Sequence, residues 1–175
     1  IWDLKGITPT LYHLPEVLES IKDGKLIWIV EGEKDVDNLR KVGLIATTIS
    51  GGASSKWTPE IIPYFFNCNG VAIIPDNDEP GRKYAQYVAN LLAGWCPVKI
   101  VALPTGKDVS DYLETQKVDN LLNIYHNTIS YSPAGIVTRG EFNELRGLNI
   151  YLLKRLLYNS PKTIQRQRLS GGIKI

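Results

Sequence analysis

Leu26–Asp35 reads LIWIVEGEKD: an apolar run that breaks off at a glutamate, then a glycine, then charged residues that look like a helix start. A run this short, carrying Ile and Val and followed by turn chemistry, has the character of a strand buried on both faces. Glu31 then stands at the carboxyl end of a central strand, where open α/β sheets take their ligands. The pattern recurs twice. VAIIPDNDEPG (71–81) ends its apolar run at Asp76 and Asp78, and VKIVALPTGKD (98–108) leads through a short loop to Asp108. Three strands that each deliver carboxylates at the same end make a candidate site for a divalent cation.

Around these strands the chain alternates. Ile1–Gly24 reads as an adaptor, an extended piece and then the helix LPEVLESIKDG, with Pro15 in the first turn and Gly24 as its stop. Leu26–Glu31 is the first core strand, and Lys34–Val42 is an amphipathic helix closed by Gly43. IATTIS (45–50) is a second β-branched run that ends in Gly51-Gly52 and the polar loop ASSK. Thr58 is a candidate N-cap, and Pro59 opens a helix over EIIPYFFN. Val71–Pro75 is the third strand, Glu79–Ala93 a strong helix, and Val98–Leu103 the fourth strand. Asp108–Leu113 and Val118–His126 are two further short helices. Strand–helix alternation of this kind predicts a parallel sheet with helices on both faces and right-handed crossovers. Ser130–Gly135 is the best linker candidate, and beyond it Glu141–Asn159 carries helical periodicity. The expected division is an adaptor over 1–24, an α/β domain over 25–128, and a basic, largely helical segment over 136–175.

Composition excludes several classes. The 175 residues carry a net charge of +2 and contain no apolar run long enough to span a membrane. The N-terminus lacks the pattern of a signal peptide. Cys68 and Cys96 form no CxxC and suit buried thiols of a reducing compartment, the cytoplasm. Methionine is absent, position 1 included, which suggests a piece of a longer chain. Residues 1–135 hold 12 basic and 16 acidic groups, whereas residues 136–175 hold 8 and 2. The acidic front suits clustered metal ligands, and the basic end suits either a polyanionic partner or a solvated charged face.

Asp76 and Asp78 are two apart in extended chain, so both can face one ion while Asn77 points elsewhere. Magnesium needs few carboxylates because it keeps several waters. Taken alone, the DNDEPG stretch also suits an ordinary polar turn. Gly81, at a helix start, offers backbone N–H to a phosphate, with Arg82 and Lys83 beside it. Gly32 after Glu31 permits close approach of a ligand. Asp35 lies one helical turn on and can support the same site, while Glu33 and Asp37 are expected to face solvent. Asp111 and Lys107 have both a site reading and an ordinary surface reading. TGKD is not a P-loop, His13 and His126 are isolated, and Ser54, Ser55 and Ser110 lack a His partner for acyl transfer.

The combination is more specific than its parts. VEGEKDVDNL (30–39), SGG (50–52), VAIIPDNDEPGRKYA (71–85) and LPTGKDVSDYL (103–113) together resemble a Toprim domain, the fold shared by bacterial-type primases, topoisomerases and some nucleases. The resemblance is nearest to the primases and primase-helicases of phages, plasmids and other mobile elements. LYHLPEVLE (11–19) is similar to the segment that leads into Toprim there.

The resemblance, which covers about Leu11–Leu113, implies a Rossmann-like α/β fold, a parallel four-stranded sheet flanked by helices; the helical basic C-terminal appendage over 136–175 is read from its own residues and lies outside the resemblance. The resemblance implies that Glu31 acts as general acid or base in nucleotidyl transfer, although Glu31 could instead be a metal ligand. It assigns Asp76 and Asp78 to metal, with Asp35 and Asp108 as further acidic positions. Ser110 stands where bacterial primases tend to have a second acid. The implied cofactor is Mg²⁺ or Mn²⁺, and the implied partners are single-stranded DNA, NTPs and a replicative helicase or other replication domains, with no membrane. Lys34, Lys56, Lys107, Arg82 and Lys83 are the candidates to hold phosphates of nucleotide or template. The implied activity is primer synthesis, the alternatives being a Toprim nuclease and a non-catalytic nucleic-acid-binding module.

Overall fold

The computed structural model describes residues 10–51, 57–66 and 68–133. The candidates Gly52, Ser54, Ser55 and Lys56, and the segment 136–175, lie outside the described residues.

Four parallel strands form one sheet: β1 (Ile27–Ile29), β2 (Ala46–Thr47), β3 (Val71–Ile73) and β4 (Val98–Ile100), in the order β2-β1-β3-β4. Trp28 pairs with Ala46 on one side and with Ala72 on the other, and Ala72 pairs in turn with Lys99. The strands are shorter than their apolar runs. Val30 and Ile74 remain buried, but beyond Ile29 and Ile73 the chain leaves the ladder to enter the loops that carry the acids.

Parity along β1 and β3 explains why both runs are continuously apolar. Ile27, Ile29, Val71 and Ile73 face one core. It is completed by Val17 and Ile21 of α1 (Leu14–Lys22), by Ile61 and Phe65, and by Ala85, Val88, Ala89 and Leu92 of α3 (Glu79–Leu92). Trp28, Val30, Ala72 and Ile74 face the other core. There they meet Val36 and Leu39 of α2 (Glu33–Lys41), Val109 and Tyr112 of α4 (Val109–Thr115), and Leu121 of α5 (Val118–Asn127). The sheet is thus covered on both faces, as parallel sheets require.

The extended piece before α1 joins the same layer. Leu11 bridges Ile49 in antiparallel sense, and Tyr12 N–H donates to Thr48 O at 2.8 Å. Pro59–Phe65 is a helix opened by proline as expected, of the 3-10 type. Pro63 within it has no N–H to give to an i−4 carbonyl. Two local expectations are corrected. Thr58 makes no side-chain capping bond. His13 is not isolated: in the left-handed region at φ 58, it lies 3.4 Å from both Glu16 and Asp37.

The crossover through α2 carries the chain from β1 outward to β2, and the crossover through α3 carries it from β3 the other way to β4. The strand order therefore reverses between β1 and β3. The carboxyl ends of those two strands form the switch point at which doubly wound sheets bind ligands.

Candidate active site

Glu31 lies two residues past β1 and Asp76 three past β3, so adjacent strands bring them to one rim. The Asp76 N–H donates to Glu31 Oε1 at 3.1 Å. Behind Glu31 the backbone is fastened twice. Thr48 Oγ1 donates to Glu31 O at 3.0 Å, and Tyr84 OH donates to Val30 O at 3.3 Å while accepting from Trp57 Nε1 at 2.9 Å. Burial holds the Tyr84 hydroxyl at about 12, so it stays a neutral donor.

The carboxylates crowd one another. Asp76 is raised to about 6, first by burial and then by Glu31, Asp35, Asp108 and Asp78. Glu31 is raised too, chiefly by burial, with Asp78 and Asp35 adding and the Asp76 N–H opposing. Five acids, four from three loops and Asp35 from the first turn of α2, therefore share one electrostatic neighbourhood. Gly81 is the floor of this arrangement. A Cβ there would meet Asp76 O at 2.4 Å and Glu31 Oε1 at 2.7 Å. Its N–H does not await a phosphate as expected from the sequence, because it donates to Asp78 Oδ1 at 2.7 Å, closing the N-cap of α3. Asp108 caps α4 in the same way, accepting from Asp111 N–H at 2.8 Å.

Asp35 is 7% exposed, and its carboxyl is raised chiefly by burial. Ser110 Oγ donates to Asp35 Oδ1 at 2.5 Å and accepts from Asn38 Nδ2 at 2.8 Å. This chain ties α2 to α4. Ser110→Ala leaves a buried carboxylate short of a donor and is expected to cost about 1–3 kcal/mol. Urea unfolding at neutral pH reads it as a lower midpoint with an unchanged slope.

The cations fall elsewhere. Arg82 Nε and Lys83 Nζ lie 3.4 and 3.3 Å from Glu79, on an open groove along α3 that also includes Gln86, Tyr87 and Asn90. Lys34 and Lys107 are exposed; Lys34 draws the Asp35 carboxyl down slightly against its burial. Glu33 does not simply face solvent: its Oε1 accepts the Gly51 N–H at 3.1 Å. Asn77 and Ser110 make long-range side-chain bonds, to Gly106 O and to Asp35 Oδ1, that the sequence did not announce. Parity placed Asn77 off the metal face, but nothing local announced what it would bind.

Among the described residues, no three His, Cys, Asp or Glu side chains group tightly enough to grip one ion between them. The donor set still suits magnesium. All its atoms are oxygen, one or two carboxylates with waters suffice, and the mutual repulsion at Asp76 is the electrostatic condition a cation relieves.

A family model described as Toprim-like matches residues 28–113. Residues 28–113 have the Toprim fold. It is 29% identical over 119 residues to the Gene 57 protein of Mycobacterium phage D29, covering 68% of this chain and 73% of that protein. It is 28% identical over 119 residues to a DNA primase of Listeria innocua, covering 66% of this chain but only 19% of that enzyme. Among solved structures, the Aquifex aeolicus primase, comprising zinc-binding and RNA polymerase domains, superposes with a TM-score of 0.61 at 25% identity. That match covers 69% of this chain and 30% of the other. The Toprim chain thus spans a minor part of the primases it matches. Among the described residues, no helix is long and apolar enough to cross a membrane.

Proposed function

We propose that the Toprim domain of this chain is the nucleotidyl-transferring module of a DNA primase, making primers on single-stranded DNA from NTPs. The observation that carries the reading is the Glu31–Asp76 contact at 3.1 Å, set among three further acids that all raise the Asp76 carboxyl. Primer synthesis joins a 3′ hydroxyl to the α-phosphorus of a triphosphate. It needs a base near the attacking oxygen and neutralisation of phosphate charge.

Glu31 supplies the base. One of its oxygens is held by the Asp76 N–H, so the carboxylate has a fixed direction, and partial burial keeps it basic. Asp76 and Asp78 would hold Mg²⁺ or Mn²⁺, with Asp108 and Asp35 lending charge around them. A bound divalent ion supplies charge stabilisation to the developing transition state. Arg82, Lys83, Lys34, Lys107 and Lys56 are the candidates to contact phosphates. Arg82 and Lys83 would exchange their partner Glu79 for a phosphate oxygen. The basic 136–175 segment suits the template backbone, and a replicative helicase is the partner class that primers serve.

The test is incubation of the chain with single-stranded DNA, labelled NTPs and Mg²⁺ or Mn²⁺. Short template-dependent RNA is the expected product. Shortened DNA in place of RNA would transfer the site to strand cleavage, the chemistry of a Toprim nuclease. Retention of DNA without either product would make the domain a binding module and overturn the proposal.

A further inference from the structure

Four acids of the site come from three separate loops, and something must fix the third loop against the other two. The geometry points to Asn77, the residue between the two aspartates, as the positioning residue that fastens the Asp108 loop to the Asp76–Asp78 loop. This rests on the reading of Asp76 and Asp78 as metal ligands.

Asn77 turns away from the acids and toward the chain after β4. Its backbone N–H donates to Lys107 O at 2.7 Å. Its side-chain Nδ2 donates to Gly106 O at 3.0 Å and lies 3.4 Å from Leu103 O. One residue thus grips the start and the end of the loop that delivers Asp108. Gly106 has φ 87, and a Cβ there would come within 3.0 Å of Tyr112 N. The loop is therefore tightly turned where Asn77 holds it. Downstream the loop is closed by Asp111, whose Oδ2 accepts the Lys107 N–H at 3.3 Å and whose own N–H goes to Asp108 Oδ1. The order of connection is Asn77, loop carbonyls, Lys107, Asp111, Asp108. Among the described residues the hydrogen bonds of Asp108 go to Asp111 N–H and Tyr112 N–H and not to the Asp76–Asp78 loop, so Asn77 is the link by which the two acidic loops keep register.

The amide chemistry makes the claim sharp. An Asn donates through Nδ2 to two carbonyls, whereas an Asp at the same place has only acceptors to offer them. If Asn77 faced the ion, Asp would add a ligand and tighten metal binding. If it faces the loop, Asp sets a carboxylate against two carbonyls and adds charge next to carboxylates already crowded, which loosens the loop.

The experiment titrates Mn²⁺ calorimetrically into the full 175-residue chain and into Asn77→Ala, Asn77→Asp and Asp76→Asn, with amide hydrogen exchange at residues 77 and 107 in metal-free buffer. Asn77→Ala is expected to weaken Mn²⁺ binding about tenfold, the low end for residues that orient ligands. Exchange at both amides should rise while the melting temperature moves little. Asn77→Asp should be weaker still. Tighter binding by Asn77→Asp, or unchanged affinity and exchange in Asn77→Ala, overturns the inference. Asp76→Asn separates it from the site reading. If that variant keeps wild-type affinity, the metal assignment fails, and the exchange data alone then judge whether Asn77 holds the loop.

Discussion

Gly81→Ala should unsettle the Toprim site more than any other single methyl group added to the domain. The new Cβ would lie 2.4 Å from the Asp76 carbonyl oxygen, 2.9 Å from Asp76 Cβ and 2.7 Å from Glu31 Oε1. The first two cannot rotate aside, because they belong to the backbone and the stem of a residue pinned between β3 and α3. Relief therefore requires α3 to shift away from the β1–β3 rim. That movement pulls Gly81 N–H off Asp78 Oδ1 and Asp76 N–H off Glu31 Oε1. Overpacking of this kind typically costs about 1–3 kcal/mol, and the loss of the Asp78 cap adds about 1 kcal/mol. For a chain of this size the total corresponds to a melting temperature lowered by roughly 5–15 °C. Differential scanning calorimetry measures it, and Mn²⁺ titration of the folded fraction should show affinity lost along with stability. A melting temperature within a degree of wild type would mean that the rim is far more pliable than its contacts imply.

Asp76→Asn is expected to do the opposite to stability while removing metal binding. An acid whose folded value is raised from 3.8 to about 6 holds its proton more tightly in the native state than in the unfolded one. Below pH 3.8 both states are protonated and there is no penalty. As pH rises from 3.8 to 6 the unfolded chain ionises first and is favoured, and above 6 the cost is complete. A displacement of that size amounts to about 3 kcal/mol, nearer ~1–2 kcal/mol once water around this half-buried carboxyl screens its neighbours. In metal-free buffer at pH 7.5, Asp76→Asn should therefore unfold at higher urea than wild type, with the advantage gone at pH 3.5. Millimolar Mg²⁺ should stabilise wild type and leave the variant unmoved, because only a native state that binds the ion gains from it. Equal stabilisation of both proteins by Mg²⁺ would remove Asp76 from the ligand set.

How far the sequence carried the structure follows from the range of each interaction. The ends of β1 and β3 were legible because an apolar run that stops at an acid is a local pattern, and two parallel strands at a switch point then bring Glu31 and Asp76 together by topology alone. Helix ends were legible where proline and glycine set them, as at Pro15 and Gly43. Pro59 announced the start of the Pro59–Phe65 helix, but its 3-10 form was not read, although Pro63 denies the α-helical bond four residues back. The partners of Asn77 and Ser110 were not legible. Their bonds to Gly106 and Asp35 span 29 and 75 residues, and an amide or hydroxyl has no preference that names a distant partner. Glu33 was read as solvated for the same reason, since the Gly51 N–H reaches it from beyond β2.

The N-caps made by Asp78 and Asp108 bear on how loss-of-function alleles of this domain are to be interpreted. Replacing either aspartate with alanine deletes a charge and also frays the opening turn of a helix, so a dead variant would report two injuries at once. Asp76 caps no helix, which makes its amide the cleaner knockout for genetics, and serine at 78 or 108 preserves the turn while discarding the anion.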